Sequence, residues 1–208
     1  MDTNWSHVAT DLRTIALLNP RLALMLARGQ PLTPRAYNIT AEFDAVTQGQ
    51  RIPSSMDERL YQSVWIQDLA YTIRCPDANA GAMGKLWADE NRKLNPYIDV
   101  DIRIEGTERY QLTEGLTPIE NIATSGTSSQ RRWAKNGWTL GTDQNMFCDF
   151  VLQRTLNEDE VPLTVTLTLS VMELSGCALH QISWQDSVCA LRGMNILPAE
   201  GDIKYPAR

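Results

Sequence analysis

Val161-Pro-Leu-Thr-Val-Thr-Leu-Thr-Leu-Ser-Val171 decides the fold. Valine and leucine take every odd position, and proline, threonine and serine take every even one. A period of two puts all the aliphatic side chains on one face of an extended strand, whereas a helix would spread them around its circumference. The chain is therefore expected to hold a sheet with one face on a core and one polar face. Pro162 has no N–H to give a ladder, so this end should lie at a sheet edge or ahead of the pairing. Asn145 to Thr155, reached back across the polar turn Asn157-Glu158-Asp159, is the expected partner strand.

Working outward, a second alternation sets Ile98, Val100, Ile102 and Ile104 against Asp99, Asp101, Arg103 and Glu105. Gly106-Thr107 suits a hairpin turn, with Arg109 to Thr113 returning and Arg109 facing Glu105. Tyr37, Ile39, Ala41 and Phe43 alternate with polar residues as a first strand after a Pro31–Pro34 linker. Val64 to Arg74 is rich in β-branched and aromatic residues and reads as a long strand buried on both faces. Trp138 to Leu140 and Ala178 to Trp184 complete the strands. Gln48 to Pro53 reads as loop, and Ser55 with Glu58 resembles a capping box that starts a helical turn. Met83, Leu86, Trp87 and Leu94 suggest a surface helix. Residues 114–137 form a long irregular excursion.

Residues 4–28 carry apolar side chains at helical spacing (Trp5, Val8, Leu12, Ile15, Leu22, Met25), broken at Asn19-Pro20, where proline suits a first helical turn. This defines a helical arm over 1–30, which packs either on its own domain or on a neighbouring subunit. A β-sandwich domain over 35–184 and an extended C-terminal tail over 185–208, punctuated by Gly193, Pro198, Gly201 and Pro206, follow. The expected class is all-β, an antiparallel sandwich, with the long crossing connections of a single jelly roll.

Composition excludes several functions. A net charge of -6 argues against a broad nucleic-acid surface. The four cysteines (Cys75, Cys148, Cys177, Cys189) form no C-x-x-C pair, and the two histidines, His7 and His180, lie far apart. That is a poor supply of zinc ligands, and buried free thiols in a reducing compartment are the preferred reading. No secretory signal or membrane span stands out. Asp99-x-Asp101 could grip a cation, but two carboxylates on the polar face of a strand are too few for one. No G-x-S-x-G elbow, P-loop or G-x-G-x-x-G pattern occurs. No catalytic, cofactor-binding or metal-ligating residue is expected, and no cofactor. Arg131-Arg132 with Trp133 and Trp138 have the composition of a protein–protein hot spot.

The segment from Leu116 to Leu174 reads T-P-I-E-N-I-A, then N-G-W-T-L, then D-Q-N-M-F-C-D-F-V-L-Q-R and E-V-P-L-T-V-T-L-T-L. It resembles the C-terminal part of jelly-roll virion proteins from tailless icosahedral bacteriophages with internal membranes. The resemblance implies a non-enzymatic structural protein, made in the host cytoplasm and residing in the virion. Its partners would be further copies of itself in a symmetric homo-oligomer and other virion proteins. A peripheral contact with an internal membrane would fit, and sequence-specific nucleic-acid binding would not. The interface residues expected on this view are Trp5, Leu12, Ile15, Leu22, Met25, Arg131, Arg132 and Trp133. The alternative is a β-sandwich that binds a ligand such as a carbohydrate through exposed tryptophan and acidic loops.

Overall fold

The computed structural model describes residues 5–76, 85–86, 98–106, 110–113, 115–125, 137–174 and 179–198. Helices α1 (Trp5–Leu18) and α2 (Pro20–Ala27) come first. Strands β1 (Leu32–Phe43), β2 (Arg51–Ser55), β3 (Val64–Cys75), β4 (Lys85–Leu86), β5 (Ile98–Glu105), β6 (Tyr110–Gln111) and β7 (Thr117–Pro118) follow. After the one-turn helix α3 (Ile119–Ile122) come β8 (Thr124–Ser125), β9 (Thr139–Leu140), β10 (Asn145–Leu152) and β11 (Leu163–Leu174). Helix α4 (Trp184–Gly193) closes the described chain.

The strands form two mostly antiparallel sheets, an all-β sandwich. One sheet runs β1-β11-β3-β4, with β8 and β9 also on β3; the other runs β2-β10-β5-β6, with β7 also on β5. Among the described strands only β8 runs parallel to its neighbour. The alternation at Val161–Val171 does what its period requires. Leu163, Val165, Leu167, Leu169 and Val171 are buried in the core, while Thr164, Thr166, Thr168 and Ser170 stay half-buried on the other face. Opposite them, Ile98, Val100, Ile102 and Ile104 of β5 and Met146, Cys148, Phe150 and Leu152 of β10 close the core.

The expected partnership of β11 with residues 145–155 is wrong. β10 belongs to the other sheet, and β11 is a central strand between β1 and β3. The acidic turn is a crossover between sheets, because Glu160, itself buried, accepts from the Arg154 guanidinium at 3.1 and 3.2 Å and from the Asn157 N–H at 2.8 Å. Pro162 lies just ahead of the pairing, which begins at Leu163.

Other boundaries also move. The Pro31–Pro34 linker is largely strand, since β1 starts at Leu32. Of the loop expected over Gln48 to Pro53, residues 51–53 are strand, and Pro53 is tolerated because β2 is an edge among the described strands. The Ser55–Glu58 capping box starts no helix; a bend follows Met56. Within the 114–137 excursion, β7, α3 and β8 are ordered pieces. The surface helix around 83–94 and Arg109 fall mostly outside the described residues, and Lys85–Leu86 pairs with β3 as strand. The last strand expected from Ala178 to Trp184 is not formed over the described residues 179–184: Leu179–Gln181 is a 3-10 turn. The extended tail is helical over Trp184–Gly193, because the Ser183 hydroxyl caps the Asp186 N–H and Leu191 is anchored in a core.

That core is the second one. Ile15, Leu22, Ala23 and Leu24 of α1 and α2 pack with Leu179, Leu191 and Leu197 around Leu174 of β11 and Trp65 of β3. Leu174 shares the threonine-side parity of β11, so the helices cover one end of the outer face of the first sheet. Asn19 joins them to the sandwich: its side chain caps the Leu22 N–H at 3.1 Å and donates to the Gly137 carbonyl at 3.0 Å.

Midway along β1, Tyr37 is buried and donates its hydroxyl to Glu173 at 2.9 Å. Burial, and then the bond to Glu173, raise its pKa from 10.0 to about 12. A folded pKa above the unfolded one gives stability that is complete below the unfolded value and is lost as the pH climbs toward the folded one. Tyr37→Phe is therefore expected to flatten the fall in urea midpoint between about pH 10 and about pH 12. A variant whose midpoint falls over that range as steeply as the parent's would refute this role.

Candidate functional site

The outward face of the second sheet collects the polar half of two alternations. β5 turns out Asp99, Asp101, Arg103 and Glu105, and β10 turns out Phe147, Asp149 and Val151. Register places Asp149 directly between Asp101 of β5 and Pro53 of β2. Its Oδ2 takes the guanidinium of Arg51 and, at 3.0 Å, that of Arg103. Arg103 also donates to Glu105 at 3.0 Å and lies 5.6 Å from the Phe147 ring centroid. Asp149 is only 4% exposed. Burial pushes its pKa up, but the bonds and charges of Arg51 and Arg103 outweigh this and hold it below the ordinary carboxylate range. The same burial raises the Cys148 thiol on the core side.

A depressed carboxylate pKa contributes stability that is present above the unfolded value and is lost as the pH falls through the folded one. Asp149→Asn is expected to be less stable by about 2 kcal/mol near neutrality, the scale of a charge-assisted bond. The deficit should shrink below about pH 4, where the parent loses its own ion pairs. Denaturation midpoints across that range check it; a gap that does not change with pH would reject the network as a stabiliser.

The D-x-D pair does not converge on a cation. Asp99 takes the Gln153 amide at 2.9 Å, and Asp101 takes the Thr113 hydroxyl at 2.9 Å and the Gln111 amide at 3.3 Å. Among the described residues no group of three His, Cys, Asp or Glu side chains could hold a metal ion. Cys75 and Cys148 are buried and in no disulfide, as expected, but Cys189 is exposed.

A hollow of about 510 Å³ opens at the end of the sandwich where β2 runs toward β3, β5 ends and β10 begins. Asp57, Glu58, Glu105 and Asp143 line it with Met56 and Phe147. Its acidic groups come from the β2–β3 connection, the end of β5 and the β9–β10 connection, so no local pattern announces it; Glu58 and Glu105 stood out in the sequence only for other reasons.

The expected interface residues fare differently. Ile15 (2% exposed) and Leu22 (0%) are covered by the chain itself, and Leu12 and Met25 pack against the same cluster. The surface they were meant to offer goes instead to Leu17 and Leu18, 59% and 55% exposed. Trp5 opens α1, but its side chain lies outside the described residues, as do Arg131, Arg132 and Trp133. Trp138 packs against the main core. No helix among the described residues is long and apolar enough to cross a membrane. No protein-family model and no curated protein matches the chain.

Proposed function

We propose that the sandwich is a single jelly roll and that the protein is a non-enzymatic shell subunit of a virion, assembling with copies of itself. The observation that carries this is strand order. Along the chain β1 lies in one sheet, β2 in the other, β3 in the first, β5 and β10 both in the second, and β11 in the first again. The first strand meets the last in one sheet, and the second meets the second-last in the other, which supports the wrapping of a jelly roll. The virion proteins that the sequence resembles share that architecture. Leu17 and Leu18, at the end of α1 in the helical layer over the outer face of the first sheet, supply apolar surface for a neighbour. On this reading the partners are further copies and other virion proteins, and the site of action is the virion.

Electron microscopy and mass photometry over a concentration series test it. A closed symmetric oligomer is expected, weakened about tenfold or more by Leu17→Glu with Leu18→Glu at an unchanged melting temperature. A strictly monomeric protein at the highest concentration would sink the proposal. The hollow beside Glu105 favours a second reading, a sandwich that binds a ligand at its loop end. Saturable glycan binding lost on Asp143→Ala, by a protein that stays monomeric, would favour that one.

A further inference from the structure

Strand β1 is an edge: β11 pairs with one side of it, and no strand pairs with the other among the described residues. In an antiparallel ladder both backbone groups of a residue point the same way, alternating along the strand. At Asn38 they point outward, since its N–H donates to Asp57 Oδ1 at 3.1 Å and its carbonyl accepts from the Asp57 N–H at 3.0 Å. The outward set is therefore the even-numbered positions from Leu32 to Glu42.

An added strand would need this row, and the row is interrupted at each place that matters. Pro34 offers no N–H. Asn38 is closed on both groups by Asp57, a single residue standing where a neighbouring strand would be. The Thr40 carbonyl accepts from the Ser54 hydroxyl at 2.7 Å. What is left, Leu32, Ala36 and Glu42, never comes as two successive outward positions, and Glu42 adds an exposed charge. Proline, charge and local cover are the devices that keep edges from recruiting another chain.

We propose that Asp57, Ser54 and Pro34 together form an edge guard that prevents β1 from adding an extended segment of a second copy. Copies of this protein then meet through side-chain surfaces and not by continuing a sheet. The guard holds whether or not the protein is a shell subunit, so failure of either idea is readable without the other.

The test is the full chain carrying Pro34→Ala, Ser54→Ala and Asp57→Ala, compared with the parent by mass photometry, hydrogen exchange and circular dichroism. The expected result is an Asn38 amide that exchanges on the order of tenfold faster and a self-association that sets in at about tenfold lower concentration. Adding Ala36→Pro removes another outward N–H and should return association to the parent level, which separates edge pairing from general aggregation. A folded triple variant that associates like the parent overturns the proposal, as does one whose added association survives Ala36→Pro. Should the triple variant lose its fold, Asp57→Ala alone decides by the same two readouts.

Discussion

A chain lacking residues 1–30 is expected to lose most of its stability, not merely its capacity to assemble. The helices of that segment are part of a core. Without Ile15, Leu22, Ala23 and Leu24, the side chains of Leu174, Leu179 and Leu191 lose their cover. Each leucine returned to water costs about 1.5–3 kcal/mol, so three cost roughly 5 kcal/mol or more. That rivals the whole stability of a domain, about 5–15 kcal/mol. The single substitution Leu22→Ala, at a fully buried position, should lower stability by about 2–5 kcal/mol. Urea midpoints and binding of a hydrophobic dye follow both variants. A truncated chain with the parent's midpoint would mean that the helices are an appendage after all.

The second large effect is expected at Gly106, the last described residue of the β5 end. Its φ of +154° belongs to a region that side chains rarely adopt, and an added Cβ would sit 2.5 Å from the Asp143 carbonyl oxygen and 2.9 Å from Gln144 Cα. Both obstacles are backbone, so relief requires moving the turn into β10. Backbone strain of about 1–3 kcal/mol and overpacking of about 1–3 kcal/mol combine to about 2–5 kcal/mol for Gly106→Ala. Gly49→Ala is the control: φ is +84° and nothing lies within 4 Å, so about 1–2 kcal/mol is expected. Thermal melts compare them, and equal losses would show that the close approach to Asp143 is not what demands glycine. Because Gly106 and Asp143 both line the hollow, Gly106→Ala should also reshape it.

What was legible in the sequence was the long alternations. Val161–Val171, Ile98–Glu105 and Tyr37–Phe43 each became a strand whose apolar face is core, because burial of one face makes a period of two obligatory. The break between α1 and α2 was equally plain, since Asn19 caps and Pro20 starts. Pairing was not legible. Proximity along the chain suggested β10 beside β11, but the ladder of β11 is satisfied by strands far away in sequence. Short elements failed where one residue dominated the pattern. Pro34 and Pro53 read as breakers, though at edges a missing N–H costs no ladder bond. Gly193 and Pro198 masked α4, whose signal is only a serine cap and Leu191. The hollow and the Asp149 network depend on register, which no single strand carries.

The position of β11 also bears on how the chain acquires its shape. Thr40 and Thr166 touch across the β1–β11 pair although 126 positions separate them. The first long strand leaves the ribosome with its apolar face unmatched and stays so until nearly all of the described chain has been made. Closing so wide a loop must precede any gain from it, which places folding among the slow, milliseconds-to-seconds topologies. In that interval Ile39, Ala41 and Phe43 are bare, and a nascent chain in this condition is a natural client for a holding chaperone.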